Sequence, residues 1–111
     1  MSITNDELKW VGIDFDHTIC RNSGYPDFIP TEPIENVKSS LQEIKNLGFK
    51  IHIYTARPWS DYVTIEKWLL DNEIPFNQIH CGKLLTRVLI DDRAIRFRNW
   101  KDALTEFKDM I

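Results

Sequence analysis

Residues 10–18 read Trp10-Val11-Gly12-Ile13-Asp14-Phe15-Asp16-His17-Thr18. A short apolar run, broken by two carboxylates two positions apart, reads as a buried strand that leaves the core at Asp14. Open parallel sheets build their sites beyond the C-terminal ends of their strands. This one stretch therefore suggests both a fold class and a place to look for chemistry.

The pattern repeats on either side of a helical segment. Ile34, Val37, Leu41, Ile44 and Leu47 recur at spacings of three and four, one stripe of a helix. Pro33 suits its first turn and Gly48 its end. A second strand is expected over residues 49–55, with Phe49, Ile51 and Ile53 alternating, closed off by Pro58. Ser60 or Asp61 can cap a second helix with Tyr62, Ile65 and Leu69 on one face. Pro75 opens a third strand over residues 76–80. A fourth, Val88-Leu89-Ile90, ends at Asp91-Asp92. Asn99 caps a last helix with Trp100, Ala103, Leu104, Phe107 and Ile111 inward. Between Arg21 and Pro33, the residues Gly24, Pro26, Pro30 and Pro33 predict irregular chain. The alternation predicts one α/β domain over residues 1–111 with a parallel sheet.

Composition agrees with a packed domain: 42% of the 111 residues are hydrophobic, enough for one core and too short a chain for two. A net charge of −3 offers no general basic footprint for nucleic acid. Lysines and arginines do gather between Lys83 and Lys101, leaving room for a local patch. Two cysteines, Cys20 and Cys81, make no disulfide framework. Met1 to Glu7 lacks the basic start and apolar run of a secretory leader. No apolar stretch approaches the ~20 residues that span a bilayer. A cytoplasmic protein without membrane attachment is the expectation.

Four separated groups carry the chemistry: Asp14-Phe15-Asp16-His17-Thr18, Thr55-Ala56-Arg57, Lys83, and Asp91-Asp92. Phosphoryl transfer from a monoester needs charge neutralisation, an in-line nucleophile and a proton for the leaving group. A carboxylate can be that nucleophile and split hydrolysis into two steps through an acyl phosphate. Of Asp14 and Asp16, one would attack and the other would handle protons. Asp91 and Asp92 could add oxygen ligands for a hard divalent ion. Thr55 offers a hydroxyl and Lys83 an ammonium to phosphoryl oxygens. Arg57 would meet substrate phosphate or pair with a surface acid. His17, His52, His80, Cys20 and Cys81 match no paired zinc-ligand spacing.

With these residues in chain order, the sequence resembles the haloacid dehalogenase superfamily of phosphohydrolases. Its first motif, Asp-x-Asp-x-Thr after an apolar strand, is matched by Val11 to Thr18. The second, a strand ending in Thr or Ser, is similar to Ile51 to Thr55. Lys83 stands for the lysine of the third motif, although Lys83-Leu84-Leu85 lacks the proline that often follows it. Val88 to Asp92 is similar to the fourth, and Ile90-Asp91-Asp92-Arg93 is similar to the last motif of polynucleotide 3′-phosphatases.

The resemblance implies roles. Asp14 would be nucleophile and Mg²⁺ ligand; Asp16 would be general acid and then base, with its carbonyl also on the metal. Thr18, Thr55, Ala56, Arg57 and Lys83 would hold the phosphoryl group. Asp91 would complete the Mg²⁺ shell, with Asp92 ligating through water or orienting it. It also implies a three-layer α/β/α, Rossmann-like parallel sheet of order 5-4-1-2-3. The gaps between motifs are too short for a cap domain, so the chain resembles the capless form. Tyr25, Pro26 and Phe28 lie where that family places a flap, and Trp59 would edge the pocket. The implied activity is Mg²⁺-dependent hydrolysis of a phosphomonoester. The substrate (small metabolite, nucleotide, nucleic-acid end or phosphoprotein) and the oligomeric state stay open. A receiver-like phosphate-accepting module and a phosphotransferase are the rival readings.

Overall fold

The computed structural model describes residues 9–22 and 29–111. The leader reading of Met1 to Glu7 and the flap residues Tyr25, Pro26 and Phe28 lie outside the described residues.

The chain forms an α/β domain around a three-stranded parallel sheet. Strand β1 (Trp10–Asp14) leads to a two-stranded antiparallel ribbon, β2 (Cys20–Asn22) with β3 (Pro30–Pro33). Then come α1 (Val37–Asn46), β4 (Lys50–Tyr54), a single 3-10 turn (Trp59–Asp61), α2 (Tyr62–Asp71), β5 (Gln78–His80) and α3 (Trp100–Met110). The parallel sheet runs β1-β4-β5. Val11 stands opposite Ile51, Ile13 opposite Ile53, and Ile53 opposite Ile79.

This register puts Ile13, Ile51, Ile53 and Ile79 on one face, all buried. Because side chains alternate along a strand, every second residue feeds the same core. Val37, Leu41 and Ile44 from α1, Ile65 and Leu69 from α2, and Trp100 and Phe107 from α3 join the same cluster. The described residues thus make two layers, with the helices' core residues on one face of the sheet. Here the structure departs from the expected three layers.

Three local differences have physical reasons. Pro33 does not open α1; it belongs to β3, and Ile34 donates its N–H to the Ile19 carbonyl at 2.9 Å. The helix starts only after Asn36, whose φ of 68° lies in the left-handed region. Its far end closes as expected, with Gly48 at φ 97° donating to the Lys45 carbonyl at 2.9 Å. Arg21 to Pro33, expected to be irregular, contributes the β2–β3 ribbon because buried Ile19 and Cys20 anchor its base.

The third difference matters most for function. Val88-Leu89-Ile90 forms no strand, and Ile90 is 94% exposed. The Thr86 hydroxyl donates to the Val88 carbonyl at 2.6 Å and accepts from the Val88 N–H at 3.1 Å. Such a local side-chain turn takes the backbone groups a ladder would use. Strand β1 consequently stays at the sheet edge.

Among the described residues, no helix is long and apolar enough to cross a membrane.

Candidate active site

Beyond β1 the chain reverses around one carbonyl. The N–H groups of Thr18, Ile19 and Cys20 converge on the Phe15 oxygen at 3.4, 2.9 and 3.2 Å. His17 takes a left-handed φ of 63° at the bend, and Phe15 and Ile19 are fully buried beneath it. Trp100 of α3 pins the turn, donating its Nε1–H to the Thr18 carbonyl at 2.8 Å. Asp14, Asp16 and Thr18 are thereby held on one short loop, with the Thr18 hydroxyl 3.5 Å from Asp14 Oδ2.

The end of β4 supplies the second wall. Parallel pairing continues past the strands: the Thr55 N–H donates to the His80 carbonyl at 3.0 Å, and the Lys83 N–H to the Thr55 carbonyl at 2.9 Å. Gly82 between them has a φ of 81°, and the Trp59 indole lies 3.5 Å from where its Cβ would stand. This left-handed step is cheap only for glycine. It carries Lys83 to the site, with Nζ 3.5 Å from Asp14 Oδ1 and 4.8 Å from the Tyr54 ring centre. Thr55 is buried, and its hydroxyl accepts the Arg57 N–H at 3.1 Å. Ala56 is exposed beside it.

Arg57 closes the constellation. Its Nε lies 3.0 Å from Asp16 Oδ2 and its Nη2 2.8 Å from Oδ1, a fork on one carboxylate. Nη1 reaches Asp61 at 3.4 Å, and the guanidinium sits 5.8 Å from the Phe15 ring centre. The hydrogen bonds it donates to Asp16 hold this guanidinium more firmly protonated than usual. Asn22 of β2 donates a further bond to Asp16 Oδ1 at 3.1 Å. Of the two outcomes expected for Arg57, it pairs with acids, but the principal one is inside the site.

Asp14 differs in character from its neighbour. Burial pushes its carboxyl above the ordinary value, and the charge of Lys83 opposes that rise. The Cys20 thiol, buried and close to Asp16, is pushed up to about 12. It is therefore a poor nucleophile at neutral pH.

Asp14, Asp16, Thr18, Thr55, Arg57 and Lys83 thus come together with Ala56 beside them; Asp91 and Asp92 do not. Asp91 Oδ1 accepts the Arg93 N–H at 2.8 Å, and the Arg93 Nε lies 3.9 Å from Asp92 Oδ1. Among the described residues, no three acidic, histidine or cysteine side chains gather as a metal-binding group. Asp91 and Asp92, the expected metal positions, instead meet Arg93 on a stretch that lacks the expected fourth strand. The expected basic stretch is also partly neutralised, since Arg98 pairs with Asp102 and Glu106.

Two contributors escaped sequence reasoning. Asn22 was hidden in a segment read as irregular. Asp61 was read as a helix cap, although its i,i+4 spacing from Arg57 was a usable signal.

No protein-family model matches the sequence, and no curated protein matches it either. The chain is similar in fold to a crystal structure of a structural-genomics target from Vibrio cholerae, with a TM-score of 0.68 and 27% identity. The likeness covers 93% of this chain and 99% of that one, so it extends over the whole domain.

Proposed function

We propose that the protein is a Mg²⁺-dependent phosphatase of the haloacid dehalogenase type, with Asp14 as nucleophile. The observation that carries the reading is the meeting of Asp14, Asp16, Thr55, Arg57 and Lys83 beyond the ends of β1 and β4, with Lys83 Nζ 3.5 Å from Asp14 Oδ1. A nucleophilic carboxylate, a second carboxylate, a hydroxyl and two cations are what aspartyl-phosphate chemistry requires.

In the first step an Asp14 oxygen attacks phosphorus while the ester oxygen departs, taking a proton from Asp16. Lys83, Thr18 and Thr55 hold the equatorial oxygens. In the second step Asp16 takes a proton from water, which attacks phosphorus and releases phosphate and free Asp14. Proton transfer requires Asp16 to loosen from Arg57, and a substrate phosphate is a competing anion for that guanidinium.

The donor set suits Mg²⁺ only in part. Asp14 and the Asp16 carbonyl are hard oxygen donors, while Asp91 or Asp92 would join only with the run Val88–Ile90 along the open edge of β1. When bound, the ion would lessen repulsion between carboxylate and phosphate.

The Arg57 fork on Asp16 favours a second reading. If that fork withholds Asp16 from proton transfer, the phosphorylated Asp14 persists and the domain is a receiver-like phosphate acceptor.

Release of aryl alcohol and phosphate from p-nitrophenyl phosphate tests the proposal. Activity is expected with Mg²⁺, to vanish in chelator, and to be abolished by Asp14→Asn. Asp16→Asn is expected to slow it by about 10²–10⁴-fold, the usual worth of general acid–base catalysis. Undiminished activity of Asp14→Asn contradicts the assignment.

A further inference from the structure

The sheet face opposite the core is chemically distinctive. By register it carries Trp10, Gly12 and Asp14 from β1, His52 and Tyr54 from β4, and His80 from β5. Their rings form a continuous ladder across all three strands. Trp10 lies 5.7 Å from His52, His52 lies 5.9 Å from His80, and His80 lies 6.2 Å from Tyr54. Exposed Trp59 extends it, 5.3 Å from His80. Beside His52, on the edge strand β1, is a gap: a Cβ added at Gly12 would meet nothing within 4 Å. Cations stand at both ends, Lys50 Nζ 5.4 Å from the Trp10 ring centre and Lys83 Nζ 4.8 Å from that of Tyr54.

No aliphatic side chain occupies these strand positions, whereas the other face is built from isoleucines. Protein–protein interfaces favour aromatic residues but are poor in lysine and apolar at their buried centre. The lysines at both ends of this ladder and its lack of aliphatic side chains therefore argue against a second copy or a folded partner. Aromatic rings on neighbouring strands with flanking lysines are instead the chemistry that binds unpaired bases and their phosphates. A duplex hides its base faces and cannot use such rings.

We infer that this face binds single-stranded nucleic acid, with bases stacked on Trp10, His52 and Tyr54 across the gap at Gly12 and with a phosphate on Lys50. Stacking dominates, because the chain's net charge of −3 opposes general attraction. Binding is accordingly shallow in salt: the one phosphate neutralised by Lys50 gives a log–log slope of about −0.7 on a single strand.

Fluorescence anisotropy of the full chain tests this, using short labelled oligo(dT) and oligo(rU) without terminal phosphate, in chelator. The probes contain no monoester, so failure here leaves the phosphatase reading untouched. Saturable binding of one or both single strands is expected, with tryptophan quenching and no comparable binding of a duplex of equal length. The relative affinities of the DNA and RNA strands identify which source is preferred. His52→Ala and Gly12→Val should each weaken binding about tenfold, the loss of roughly one stacked base. Gly12→Val enters open space on a strand and suits the pleat; unchanged circular dichroism and melting confirm its fold. Absence of saturable binding, equal affinity for duplex, or indifference to both variants overturns the inference. So does a concentration-dependent dimer in light scattering that Gly12→Val abolishes, which assigns the face to a second copy.

Discussion

Arg57 ties together residues from three parts of the chain: Asp16 after β1, its own position after β4, and Asp61 in the 3-10 turn. A planar fork makes this possible, and lysine cannot reproduce it. Arg57→Lys keeps the charge but loses the paired bonds. In turnover the fork would pass from Asp16 to the substrate phosphate, where charge-assisted hydrogen bonds are worth about 1.5–3 kcal/mol each, so phosphate release should fall about tenfold in Arg57→Lys and further in Arg57→Gln. Wild-type rates in Arg57→Lys would mean that charge alone suffices. His52 is a second informative residue. Burial lowers its tendency to protonate, and neighbouring His80 adds to the effect. Its folded pKa lies below its unfolded one, so the unfolded state binds the proton more readily and stability rises with pH. No penalty applies well above the ordinary value of 6.5; it grows as pH falls through 6.5 towards the lower folded value. The urea midpoint should drop over that window, and His52→Phe should reduce the drop while keeping an aromatic ring against Trp10. An unchanged slope in the variant would assign the pH dependence elsewhere.

At the scale of elements, α3 shows how local sequence signals become tertiary structure. The Asn99 side chain accepts the Asp102 N–H at 2.8 Å, a regular N-cap. The helix it starts places Trp100 against the loop bearing Asp14 and Asp16. Asn99→Ala should cost about 1 kcal/mol and lower Tm by roughly 4 °C, while Asn99→Asp should not. Equal melting of all three proteins would show that packing alone sets this helix. The cap was legible because its partner is three residues away. The strands were legible for a similar reason, since Ile51 and Ile53 alternate in any context. The start of α1 was misread because periodicity extends into Pro33, which belongs to β3, and Ile34, whose N–H goes to the Ile19 carbonyl. The fourth strand was misread because an apolar triplet does not reveal that Thr86 will capture its backbone.

At the scale of the molecule, the site stands at the ends of strands in a sheet that the described residues cover on one face. Asp14, Thr55 and Lys83 were legible because each follows an apolar run or a pairing continued by it. Asp91 and Asp92 depend on a strand pairing between residues far apart in sequence, which local pattern cannot specify. Among the described residues, the edge of β1 carries no further strand and the aliphatic side chains from Leu84 to Ile90 are exposed. The central claim, that Asp14 attacks phosphorus while Asp16 moves protons, is tested most directly by trapping the intermediate. Asp16→Asn keeps the nucleophile and loses the base for water, and an aryl leaving group needs little protonation. After incubation with an aryl phosphate and Mg²⁺ and an acid quench, intact-protein mass spectrometry should show an adduct of about 80 Da, one phosphoryl group on a carboxylate. Peptide mapping should place it on Asp14, and Asp14→Asn should carry none. An adduct on a histidine or cysteine, or one that persists in Asp14→Asn, would contradict the account.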